Sequence, residues 1–141
     1  MGRTATCPYV LPAGDERRER PLDAVANFAA MAMLTTAGMS APVPLEIARS
    51  AGARRRGLLG RAGIEGALLL SPASAVHTLG MRFAIDIAYL DAALRVVAVR
   101  TMRPGRLGLP RLRARHVLEA EAGAMERWGI RRGVQVIVRD V

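Results

Sequence analysis

Lysine is absent from this 141-residue chain, cysteine occurs once, and aromatic residues make up only 4%. Each scarcity removes a class of explanation. A lone cysteine, Cys7, allows neither an intramolecular disulfide nor a thiolate metal cluster, so any fold must rest on its apolar core. Few aromatic rings leave little to stack against nucleobases. Phosphate-binding glycine loops and a nucleophile elbow are also missing: Ser71 and Ser74 have no flanking glycine pattern, and Cys7 lies near the terminus. Acid is scarce relative to base, with 12 Asp and Glu against 21 arginines, for a formal net charge of +9. The lack of lysine fits a GC-rich genome, which accounts for the choice of arginine but not for the excess of positive charge. That excess favours anionic partners.

What is present suits a single globular unit. Apolar residues are 51% and charged residues 23%, and about 100 residues suffice for one core. Residues 1–32 are expected to be a disordered or weakly structured extension, since they carry Pro8, Pro12, Gly14, Pro21 and the run Asp15 to Arg20 without periodicity. The uncharged stretch from Ala24 to Ala41 has the outline of a secretory signal. It is rich in alanine and threonine, contains Asn27 and is barely long enough to span a bilayer, and a cut near Ala41 would remove residues that look like the first strand of the domain. The expectation is a single domain over 33–141 and a cytoplasmic location, with export as the alternative.

Pro44 to Arg49 alternates like a half-buried strand, and Ser50 offers a cap for a short helix through Arg54-Arg55-Arg56 to Leu58-Leu59, ended by Gly60. Gly66 to Leu70 is an apolar run suited to a strand buried on both faces. Arg82 to Leu90 and Leu94 to Arg100 flank Asp91-Ala92-Ala93 as a hairpin, while Val117 to Glu119 and Val134 to Val138 are further strands. Ala122 to Trp128 predicts a second short helix, ended by Gly129. The sum is a mainly β domain, a compact β-sandwich or small barrel, with two short helices.

Four separated motifs resemble domain-of-unknown-function family 192. They are Arg56-Gly57-Leu58-Leu59-Gly60-Arg61; His77-Thr78-Leu79-Gly80-Met81-Arg82-Phe83-Ala84-Ile85-Asp86 with Tyr89-Leu90-Asp91; Arg103-Pro104-Gly105-Arg106; and Val117-Leu118-Glu119 followed by Ala122-Gly123 and Trp128-Gly129-Ile130-Arg131-Arg132-Gly133. The resemblance implies a compact β fold and brings no catalytic residues with it. Much of the family has Trp-Met-Lys-Asn-Thr where this chain has His77 to Met81, proline where it has Ala84 and aspartate where it has Val134. This chain resembles a divergent branch.

If His77 to Leu90 is extended, Thr78, Arg82 and Asp86 share one face around the small Ala84, with His77 at the entrance. Arg82 and Asp86 would then stand about 13 Å apart, too far for an ion pair, so each needs another partner. Two readings follow: a polar recess for a ligand, or pins that satisfy loop backbone groups. His77 and His116 show no metal-ligand spacing, and neither a metal nor any other cofactor is expected.

From Arg100 to His116 the periodicity stops, and Arg100, Arg103, Arg106, Arg111, Arg113 and Arg115 occur with no acidic residue between Asp91 and Glu119. Such a loop carries a positive field suited to phosphate or carboxylate. The reading is a non-catalytic binding module for an anionic small molecule or polymer, an envelope component or a protein partner, with Thr78, Arg82, Asp86, His77, Arg103 and Arg106 as candidate ligand-binding residues and no catalytic residue assigned. One alternative is a small hydrolase or metal-dependent enzyme using Asp86 with a histidine. Another is nonspecific nucleic-acid contact, against which the absence of aromatic residues in the loop argues.

Overall fold

The computed structural model of the protein describes residues 30–140, and the expected extension and secretory outline before Ala30 lie outside the described residues. The elements are β1 (Ala30–Thr35), β2 (Val43–Ala48), α1 (Ala51–Arg56), β3 (Ala67–Leu70), β4 (Ile85–Leu90), β5 (Val96–Met102), β6 (His116–Glu121), α2 (Ala124–Arg127) and β7 (Ile137–Asp140). The strands form one sheet in the order β5-β4-β6-β3-β2-β1-β7. The described residues are thus mainly β with two short helices. β1 takes up the sheet three residues ahead of Met33, the expected start of the domain.

All pairings are antiparallel except β2 with β3, which α1 links as a parallel crossover. Ser50 caps α1 by accepting the Ala53 N–H at 3.1 Å. Outside the named strands, Arg95 and Gln135 form a further antiparallel bridge. The Val96 N–H donates to the Val134 carbonyl at 2.9 Å and the Val136 N–H to the Leu94 carbonyl at 3.0 Å. The segments leading into β5 and β7 therefore meet, and the sheet curls into a small, nearly closed barrel.

Curling gives the sheet an inside and an outside, each with its own core. The inner core holds Leu34, Leu45, Ile47, Leu69, Ala88, Leu90, Leu118 and Val138, closed by Met125 and Ile130 from the α2 region. The outer core lies over β3, β6 and β4 and contains Leu68, Leu70, Ile85, Ile87, Tyr89 and Val117, covered by Leu58, Val76, Met81 and Ala114 from outside the sheet. Every residue of β4 is consequently buried, which explains its near-continuous apolar sequence.

β4 begins at Ile85, whereas the sequence pattern suggested extension from Arg82, and even from His77. Residues 79–83 turn instead, with the Met81 N–H donating to the Thr78 carbonyl at 3.2 Å. Parity along a strand therefore does not connect Thr78 and Arg82 with Asp86. The cause is tertiary: this stretch crosses over the outer sheet face and pairs with the arginine-rich loop. Thr78 N–H donates to Arg106 O, Gly108 N–H to Val76 O and Arg111 N–H to Ser74 O.

Candidate functional site: an arginine-lined groove and a buried carboxyl group

Register places a mixed row of side chains across the outer face. Glu46 faces Leu68, Leu68 faces Glu119, Glu119 faces Ile87 and Ile87 faces Arg100. The crossing stretch around Val76 to Met81 divides this face, leaving one recess over β4 and β5 and another between α1 and β6.

The first recess is a groove of about 530 Å³ lined by Tyr89, Arg100, Met102, Arg103, Arg106, Leu107, Leu109 and Arg111, among others. Tyr89 and Arg100 come from the sheet, and the remainder comes from the end of β5 and the loop after it. The Arg111 guanidinium lies 5.4 Å from the centre of the Tyr89 ring, a cation–π arrangement. Its Nε is buried and has no hydrogen-bond partner among the described residues. No carboxylate lines the groove, and none of its four arginines is ion-paired among the described residues.

Thr78 holds this loop from beneath. It is fully buried, and its Oγ1 donates to the Arg103 carbonyl at 2.6 Å and accepts the Arg106 N–H at 2.9 Å. Thr78→Val is expected to remove both bonds, leave the Arg106 N–H short of a partner and cost about 2 kcal/mol, read by urea denaturation. Gly108 matters for space: a Cβ there would lie 2.9 Å from both the Tyr89 hydroxyl and the Val76 carbonyl. Gly108→Ala should lift the loop off Tyr89, lowering the melting temperature and exposing the tyrosine to solvent, as its fluorescence would report.

The second recess centres on Glu119, which is 2% exposed on β6. Its Oε2 has no hydrogen-bond partner among the described residues. It opens into a small cavity of about 60 Å³ lined by Arg56, Gly57, Leu59, His77 and Met81, among others. Gly57, at φ +47°, borders this space, and a Cβ there would make an ordinary contact 3.5 Å from Oε2. Burial pushes the Glu119 carboxyl up to about 7, against the opposing pull of Arg61. Arg61 itself is held by Glu46 through two bonds of 3.0 and 2.8 Å, beside a wider groove that Arg56 and Gly57 also line. A carboxyl group in this state can hold or release a proton near neutrality.

Asp86 lies on the other face of the sheet, at the end of the inner core. It is buried, and its Oδ1 accepts from Thr101 Oγ1 at 2.7 Å, while Oδ2 accepts from the Gly123 N–H at 2.9 Å and the Met125 N–H at 3.2 Å. Gly123, where α2 starts, has no side chain to cap it, so a carboxylate from β4 supplies the acceptor. A hydrolase using Asp86 would need a histidine beside it, and these partners include none. His77 is exposed and borders the Glu119 cavity, and Arg82 is exposed in the turn before β4. Buried His116 places its Nδ1 2.9 Å from Ser71 Oγ; burial lowers its pKa, partly offset by Asp91. Among the described residues no group of three or more His, Cys, Asp or Glu is placed to hold a metal ion.

The structure thus joins Arg103 and Arg106 to Arg100 and Arg111, gives Thr78 a supporting contact, and separates Asp86 from them all. Neither Tyr89 nor Glu119 is among the candidate site residues read from sequence. Tyr89 reads as one more core residue in an apolar run, and Glu119 as one carboxylate among several.

The sequence model of domain-of-unknown-function family 192, described as "Uncharacterized ACR", matches residues 32–138, and the chain belongs to that family. A UPF0127 protein of Pyrococcus horikoshii is 38% identical over 53 residues, which are 38% of this chain and 46% of that protein. The match thus spans less than half the length of that curated relative. Two crystal structures share the fold. One is a protein of unknown function from Novosphingobium aromaticivorans, 20% identical, with a TM-score of 0.64 over 97% of this chain and 99% of that one. The other, a proposed transcription regulator of Sinorhizobium meliloti, is 18% identical, with a TM-score of 0.58 over 77% of this chain and 92% of that one. At these identities the likeness shows the fold alone. No helix among the described residues is long and apolar enough to cross a membrane.

Proposed function

We propose that this protein is a non-catalytic module that binds an anionic ligand in the groove formed by Tyr89, Arg100, Arg103, Arg106 and Arg111. The observation that carries the reading is the convergence on one groove of about 530 Å³ of four arginines without carboxylate partners among the described residues. Bringing like charges together is unfavourable unless something neutralises them, and guanidinium forks suit phosphate or carboxylate oxygens. Arg111 strengthens the case because its Nε is desolvated with nothing among the described residues to donate to.

Isothermal calorimetry with inorganic tripolyphosphate tests this. Binding is expected to weaken as salt rises, because part of it is long-range attraction. Arg106→Ala combined with Arg111→Ala should weaken it by about a hundredfold, at roughly tenfold for each charge-assisted contact. Equal affinity in the wild type and the double variant would refute the groove as the site.

A further inference from the structure

The groove has a second character that charge does not explain. Leu107 is 74% exposed, Leu109 80% and Leu112 94%, among the most exposed large apolar side chains of the described residues. They fall within six positions of one loop and alternate with Arg106, Arg111 and Arg113. Leu107 and Leu109 line the same groove as the arginines. Exposed apolar side chains scattered singly need no explanation, but three on one loop ringed by cations do.

We infer that the segment Arg100 to Arg115, the end of β5 and the loop after it, docks the protein onto an anionic lipid bilayer, with Leu107, Leu109 and Leu112 entering the headgroup–acyl boundary and the surrounding arginines binding lipid phosphates. This deepens the anion-binding reading and rests on it. Charge complementarity selects the occupant, since the segment from Arg100 to Arg115 has six arginines and no acidic residue. Basic residues attract an anionic membrane surface, while apolar ones supply the part of the binding that salt does not screen. Nucleic acid would use the arginines but leave the leucines in water, and the loop offers no aromatic ring for a base. A protein partner would cover the leucines without requiring lipid.

Sedimentation of the full chain with vesicles separates these cases. Vesicles of mixed phosphatidylglycerol and phosphatidylcholine should retain about tenfold more protein than phosphatidylcholine alone. The combined Leu107→Ser, Leu109→Ser and Leu112→Ser variant should lose most of that retention while keeping its melting temperature, because these side chains contribute little to the core, and Leu112→Ser alone, outside the groove lining, should lose part of the retention while keeping its tripolyphosphate affinity. Wild-type sedimentation by the leucine variant would overturn the membrane inference and leave the anion site standing. So would a solution dimer that the same substitutions dissolve, or retention on duplex DNA with none on vesicles. Loss of tripolyphosphate binding from neither arginine variant nor leucine variant would instead count against the underlying anion-binding reading.

Discussion

Asp86→Ala is expected to destabilise the protein by about 3 kcal/mol without weakening tripolyphosphate binding. The carboxylate accepts from two backbone N–H groups at the start of α2 and from Thr101 on β5. Removing it strands two donors in a poorly hydrated position, and each unpaired buried group costs about 1–3 kcal/mol. The damage should extend past the helix itself, because Ala124 and Met125 of α2 belong to the inner core. Asp86→Asn keeps an acceptor oxygen and should lose roughly half as much. Arg82→Ala, at an exposed turn position, should change stability by under about 0.5 kcal/mol. Chemical denaturation reads all three, and a loss below about 1 kcal/mol for Asp86→Ala would show that α2 does not depend on β4 in this way.

The second large effect is a dependence of stability on pH set by Glu119. In the unfolded chain this carboxyl titrates at its ordinary 4.5, and burial pushes it up to about 7 in the folded protein. The folded state therefore keeps its proton where the unfolded state has lost it. Stability from this group is fully present below about pH 4.5 and is lost as pH rises to about 7. At about 1.4 kcal/mol per pH unit the loss is on the order of 3 kcal/mol. Glu119→Gln keeps the shape without the charge, so its advantage over the wild type should grow from near zero at acidic pH to that value above neutrality. His116 acts in the opposite sense: burial lowers its pKa, so it costs stability as pH falls through its ordinary 6.5. That contribution is common to both proteins and cancels in the comparison. Parallel stability curves for the two proteins between about pH 5 and pH 8 would contradict the burial of the Glu119 carboxyl.

Much of the fold was legible in local pattern. The β2 alternation, the apolar run of β3, the β4-β5 hairpin and the Ser50 cap each follow from residues adjacent in sequence. The hairpin also has its turn signal, since Asp91 Oδ1 accepts the Ala93 and Arg95 N–H groups, both at 2.9 Å. β1 was harder, because Ala30 to Thr35 sits within an uncharged, alanine-rich stretch with no strand-specific mark. Barrel closure through Arg95 and Gln135 depends on residues forty positions apart in the chain, which no local period encodes.

The site was legible in part for the same reason. The run of arginines declares a positive loop, but only the pairing of that loop with the stretch Ser74 to Thr78 turns it over Tyr89 and makes a groove. Strand parity failed at Thr78 because the same pairing ends the extended run before β4. Glu119 was hidden by burial on both faces of β6, where five of six residues are buried and polar alternation disappears.

The most direct test of the anion site is where the backbone responds to ligand. In a titration of isotope-labelled protein with inorganic tripolyphosphate, followed by amide NMR, the shifts should concentrate at Tyr89, Arg100 to Arg103 and Arg106 to Arg111, with Arg54 to Arg61 unmoved. Shifts centred on Arg54 to Arg61, or spread evenly over the basic surface, would contradict the account.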